Sequence, residues 1–182
     1  MTVTVLGKGV VGKISMIYRF ITGNKLENYE ATIEDSYKTF ENIGGENIQI
    51  NILDTAGEED YQNLFDSWLR QADGIVLVFS IDDKESFDLL ADKYERIKKN
   101  EKIDEVKYPI VLVGNKCDLE DKRQVSADEA KKYAKKIGCD YFEVSALTDQ
   151  NNNIKEPFIR CANLVMKETG KEKKGCGGCH IY

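Results

Sequence analysis

The chain has 182 residues, 41% hydrophobic and 32% charged, with a net charge of −6. That length suits one domain around one core and is too short for two, and the negative balance tells against a general nucleic-acid binder. No apolar run approaches the ~18 residues of a membrane-spanning helix, no signal-peptide pattern opens the chain, and five cysteines make no disulfide framework and fit a reducing compartment.

Strands and helices alternate along the whole length. Thr2-Val3-Thr4-Val5-Leu6 reads as a short β-branched strand; a glycine-rich turn follows, then a helix with Ile14, Ile17, Tyr18 and Ile21 at helical spacing. Residues 36–43 and 47–53 read as a hairpin about Gly44-Gly45, with Ile48, Ile50 and Ile52 on one face. The apolar runs 74–79 and 110–113 suit strands buried on both faces of a parallel sheet. Between them, Phe87, Leu90, Tyr94 and Ile97 predict an amphipathic helix over 86–99. Ser126 and Glu129 form a capping box for a helix that Gly138 ends. Residues 141–144 make the last strand. A final helix follows the Asn151-Asn152-Asn153 loop, with Pro157 in its first turn. This order implies a doubly wound α/β domain, whose ligands bind at the carboxyl ends of the strands.

Gly7-Lys8-Gly9-Val10-Val11-Gly12-Lys13 matches the phosphate-loop pattern G-x-x-x-x-G-K between a strand and a helix. Backbone N–H groups over Gly9, Val10, Val11 and Gly12 converge on phosphate oxygens in such a loop, and Lys13 pairs the β- and γ-phosphates. The next position should carry a hydroxyl for Mg²⁺ but holds Ile14; Ser15 follows, turned away by roughly 100 degrees. Asn115-Lys116-Cys117-Asp118 follows a buried strand and Ser145-Ala146-Leu147 follows the last one. A carboxylate at Asp118 can accept from both the N1–H and the amine of guanine, a pair that adenine does not offer. An ATP-using phosphate-loop kinase is disfavoured by this guanine motif and by the lack of an acceptor-binding lid segment.

On these motifs the chain resembles the Ras superfamily of small GTPases from its first strand to its tail. The resemblance implies a six-stranded, mostly parallel sheet flanked by helices on both faces, with a GTP-binding domain over residues 1–168 and a flexible lipidation tail over 169–182. By the resemblance, Asn115 braces the loops, Lys116 lies along the base, and the Ala146 N–H meets the guanine O6 beside Ser145 and Leu147. Ile14, Ser15, Tyr29, Thr32 and Gly57 complete the contacts to GTP or GDP. Relatives carry an aromatic residue across the guanine ring; here that position aligns with Lys25, next to Leu26.

Residues 29–37 look like the first switch, and Thr32-Ile33-Glu34-Asp35-Ser36-Tyr37 resembles the effector segment of the Ras and Rap subfamily more than those of Rho, Rab or Arf proteins. Thr32 is expected on Mg²⁺ and the γ-phosphate, with Glu34 and Asp35 meeting basic residues of an effector. Asp54-Thr55-Ala56-Gly57 resembles the second switch: Asp54 as a metal ligand through water, Gly57 on the γ-phosphate, and Glu58 where the family has a water-orienting glutamine. Lys13, Gly57 and Glu58 are the candidate catalytic residues, and Trp68 belongs to the core or to an effector surface. Cys179 lies fourth from the end, as in a prenylation box, and Cys176 suits palmitoylation beside lysines that favour anionic lipid.

The expected function is a monomeric GTP/GDP switch in signal transduction, with a weakened Mg²⁺ site and slow hydrolysis that depends on an activating protein. Its expected partners are effectors with Ras-binding type domains, an exchange factor and an activating protein, but no nucleic acid. Its expected place is the cytoplasmic face of a membrane, the plasma membrane foremost, with a cytosolic pool. The rival is a nucleotide-binding pseudoenzyme scaffold without meaningful hydrolysis, suggested by Ile14, Lys25 and Glu58 together.

Overall fold

The computed structural model describes residues 1–27, 34–57, 64–148 and 153–175. Their elements run β1 (Thr2–Gly7), α1 (Lys13–Thr22), β2 (Glu34–Ile43), β3 (Glu46–Thr55), α2 (Phe65–Gln71), β4 (Gly74–Ser80), α3 (Lys84–Asp104), β5 (Ile110–Asn115), α4 (Ala127–Ile137), β6 (Asp140–Glu143) and α5 (Glu156–Gly175). The six strands form one sheet in the order β2-β3-β1-β4-β5-β6. Only β2 runs antiparallel to its neighbour, through the hairpin expected about Gly44 and Gly45. Both glycines take positive φ, as a two-residue hairpin loop requires.

Alternation along each central strand supplies two core layers. In β4, Val76 and Val78 pack with Met16, Ile17, Phe20, Phe158 and Ala162 of α1 and α5. Ile75, Leu77 and Phe79 point the other way, onto Trp68, Phe87, Leu90 and Ala130 of α2, α3 and α4. Burial of each such aliphatic side chain contributes about 1.5–3 kcal/mol, so the unbroken apolar runs are the main cohesive element.

Two expectations change. The buried stripe of α1 is Lys13, Met16, Ile17 and Phe20, rotated from the expected one, with Ile14, Tyr18 and Ile21 only half-buried. Phe20 turns inward to stack on Phe158, ring centres 4.5 Å apart, and this stack sets the rotation. Helix α3 begins two residues before Ser86. Asp83 is its cap and accepts from the Ser86 N–H, while the Ser86 hydroxyl accepts from the N–H of Ser80 at the end of β4. Helix α5 runs over Glu156–Gly175. No described helix is long and apolar enough to cross a membrane.

Candidate functional site

The loop between β1 and α1 closes through contacts that only glycine permits. Gly12 caps α1 at φ 91, and a Cβ there would lie 2.5 Å from the Asn115 amide nitrogen. Gly57, at the end of the segment after β3, gives its carbonyl to the Gly9 N–H at 3.2 Å. A Cβ on Gly57 would stand 2.1 Å from that nitrogen, so the second-switch motif is pressed against the phosphate loop. Val10, between them, takes φ 64 and is 79% exposed. A β-branched residue in left-handed backbone is a strained one. The expectation from the motif pattern passed over it, although such loops alternate right- and left-handed residues to aim their N–H groups.

Lys13 is buried, and its ammonium donates to the carbonyls of Lys8 (3.0 Å) and Gly7 (3.3 Å). Burial lowers its pKa to about 8; the charge of Asp54 opposes that shift and that of Lys93 adds to it. Asp54, almost wholly buried, stands opposite Val5 and Asp35 in the ladders of β3. The side chain of Lys8 turns outward onto Glu85 (2.5 Å) and Asp83 (3.1 Å), bonds that hold its pKa above the ordinary lysine value. Sequence reasoning missed this tie between the phosphate loop and the start of α3.

A cavity of about 240 Å³ opens beside Gly12, lined among others by Ser15, Lys25, Leu26, Asn115 and Asp118. Ser15 is thus one of the residues that line this cavity. Asn115 bridges two loops: its amide donates to Val11 O (2.8 Å) and its carbonyl accepts from the Ala146 N–H (3.2 Å). The Ser145 hydroxyl donates to the Asp118 carboxylate. Lys116 takes φ 63, its ammonium 3.8 Å from Asp82. Leu147 stands exposed among the lining residues. Arg19 of α1, another residue missed in sequence, donates to the carbonyls of Ala146 (3.1 Å) and Leu147 (3.0 Å) and fixes that loop from behind.

Along β2, Glu34 and Asp35 are exposed. Each has a partner within the chain: Trp68 donates its indole N–H to Glu34 at 2.8 Å, and the Tyr37 hydroxyl donates to Asp35 at 3.1 Å. Burial and Asp35 push the Tyr37 pKa up to about 12. Trp68 is thus a core residue with its polar edge on β2. Tyr29, Thr32, Ile33, Glu58, Cys176 and Cys179 lie outside the described residues.

The donor set bears on a metal. Among the described residues no three acidic, histidine or cysteine side chains cluster as a metal cage. Mg²⁺ commonly takes one or two carboxylates and completes its shell with water and substrate phosphates. Asp54, buried near Lys13 at the phosphate end, fits that role.

The carboxyl ends of β1, β3, β5 and β6 thus bring Lys13, Asp54, Gly57, Asn115, Asp118 and Ala146 to one end of the sheet. Residues 2–167 match the model of the Ras family. The chain is 44% identical over 176 residues to the Ras-related protein O-RAL of Diplobatis ommata, covering 97% of this chain and 84% of that one. It shares the same identity and coverage with the Ras-related protein Ral-B of Mus musculus. Against the Ras-related protein ralB-B of Xenopus laevis it is 40% identical over 185 residues, 95% of this chain and 88% of the relative.

Proposed function

This chain belongs to the Ras family of small GTPases, guanine-nucleotide switches that hydrolyse GTP in signal transduction, and on that premise we propose how its own residues divide the work. Lys13 and the N–H groups of residues 9–13 hold the phosphates, with Ile14 and Ser15 opening α1 beside them. Asp118 reads the guanine edge, with Lys116, Ser145, Ala146 and Leu147 around it and Asn115 bracing both loops. The observation that carries this assignment is the Asn115 bridge, which ties the phosphate loop at Val11 to the base loop at Ala146.

Ras-like GTPases bind Mg²⁺ with the nucleotide. In this chain Asp54 and Thr32 would hold it, without the hydroxyl that Ile14 replaces, so the site is weakened. The metal supplies neutralisation of charge at the β- and γ-phosphates. Gly57 and Glu58 would serve at the γ-phosphate, and hydrolysis would be slow until an activating protein helps. The relatives lend the pseudoenzyme reading no support. Residues 32–37 recruit effectors with Ras-binding type domains, and an exchange factor reloads the switch. Cys176 and Cys179, just beyond α5, are the lipid attachment points that bring a monomeric protein to an anionic membrane surface.

The experiment that tests the base assignment is Asp118→Asn. An amide there offers a donor where guanine needs a second acceptor, and xanthine presents a carbonyl at that position. The variant should lose GTP by at least about a hundredfold and gain xanthosine triphosphate, ATP binding neither protein. Unchanged GTP affinity would remove Asp118 from the site.

A further inference from the structure

Trp68 is the only tryptophan in the chain. Its ring lies in the core layer under α2 with Leu53, Phe65 and Leu69, 3% exposed. Its single polar atom emerges at the edge of that layer and donates to Glu34 Oε2 at 2.8 Å. A buried indole N–H requires an acceptor, and this one takes it from the first residue of β2.

The bond has consequences on both sides. An exposed glutamate ordinarily has several rotamers and gives up that freedom when a partner binds. The indole selects one of them in advance. A carboxylate offers about four lone-pair sites, so one N–H leaves capacity for an incoming cation. On the other side, α2 has seven residues, too few for a helix to hold itself. It is pinned to α3 through Asp66, bonded to Arg96 (3.3 Å) and Asn100 (3.2 Å), and through Phe65 under the Arg96 guanidinium (4.3 Å). Towards β2 it is held by Trp68.

We propose that Trp68 is a positioning residue for partner recognition: it presents Glu34 to a cationic partner strand and transmits the partner's arrival from β2 to α2. The inference rests on the effector reading of Glu34 given above. The edge position of β2 leaves it open to a partner strand alongside Glu34.

Two measurements on the full-length, nucleotide-loaded protein test it. The first needs no partner: amide hydrogen exchange of Trp68→Phe, which keeps a ring and loses the N–H, and of Glu34→Ala. Trp68→Phe should speed exchange at 34–37, Glu34→Ala should speed it at 65–71, each at least about threefold, and the double variant should add nothing further. Unchanged exchange in the opposite segment overturns the proposal, as does an equal rise throughout β4, which would mean general loosening. The second is binding of a panel of Ras-binding type domains to protein loaded with a GTP analogue. Trp68→Phe should weaken the tightest domain roughly fivefold to tenfold and do nothing in a Glu34→Ala background; equal weakening in that background overturns the proposal. Failure of every domain to bind the unaltered protein counts against the effector reading instead, and the exchange result then decides the role of Trp68.

Discussion

Two residues of the phosphate loop carry costs visible in their own geometry. Val10 holds φ 64 with an exposed, β-branched side chain, a conformation that costs about 1–2 kcal/mol relative to glycine. Val10→Gly relieves that strain while adding freedom to the unfolded chain, for a net gain of about 0.5–1 kcal/mol. A thermal melt of the nucleotide-free protein checks this, and a lower midpoint would contradict it. Lys13, lowered to about 8 by burial, is half-charged at pH 8. Bound phosphates restore its proton, so nucleotide affinity is full below pH 8 and falls as pH rises through it. Titration calorimetry of GDP at pH 8, in two buffers of different ionisation enthalpy, should count about half a proton taken up per site. No uptake would mean that phosphate does not meet this lysine. For the empty fold the dependence has the opposite sign: the native pKa lies below the unfolded one, so stability withheld by the buried charge returns between about pH 8 and the ordinary lysine range.

At the scale of elements, the informative junction is the start of α3. Asp83 accepts from the Ser86 N–H with one oxygen and from Lys8 with the other, so a helix cap and a tether of the phosphate loop share one carboxylate. Asp83→Ala should cost about 1–2 kcal/mol in a urea melt, and Asp83→Asn less than half of that, since an amide oxygen still caps. Equal losses would show that the tether to Lys8, and not the cap, is what stabilises. The sequence reading put this helix two residues late, because the apolar spacing of Phe87, Leu90, Tyr94 and Ile97 leaves its first turn unmarked. The Ser86 hydroxyl closes on Ser80 at the end of β4, a tertiary contact that local rules do not register. Where the cap is local, as at Ser126 with the Glu129 N–H, sequence and structure agree on the helix start. The Glu129 side chain goes elsewhere, to Lys84 at 2.7 Å.

In the whole molecule, what could be read in advance was contiguous in sequence. The phosphate loop, the Asn115–Asp118 loop and the buried runs of β4 and β5 each state their chemistry within a few residues. Strand order, the rotation of α1 onto Phe158 and the braces of the site depend on residues far apart. Arg19 reaches across 127 positions to Ala146, Lys8 across 75 to Asp83, and Trp68 across 34 to Glu34. No local pattern marks such pairs. Their joint effect is a nucleotide site braced on the base side by Asn115 and Arg19, with Ser15 among the residues lining the base cavity; on the metal side, the reading proposed above has Ile14 where a ligand hydroxyl is expected. A guanine-nucleotide switch built this way should hold its nucleotide mainly through phosphate loop and base, with little help from Mg²⁺. The most direct test is the release rate of a fluorescent GDP with Mg²⁺ and after chelation. The account predicts fast release that changes by less than about tenfold on chelation, and slower, Mg²⁺-dependent release in Ile14→Ser, which restores a hydroxyl beside the phosphates. Slow release that chelation accelerates a hundredfold or more, left unaltered by Ile14→Ser, would contradict it.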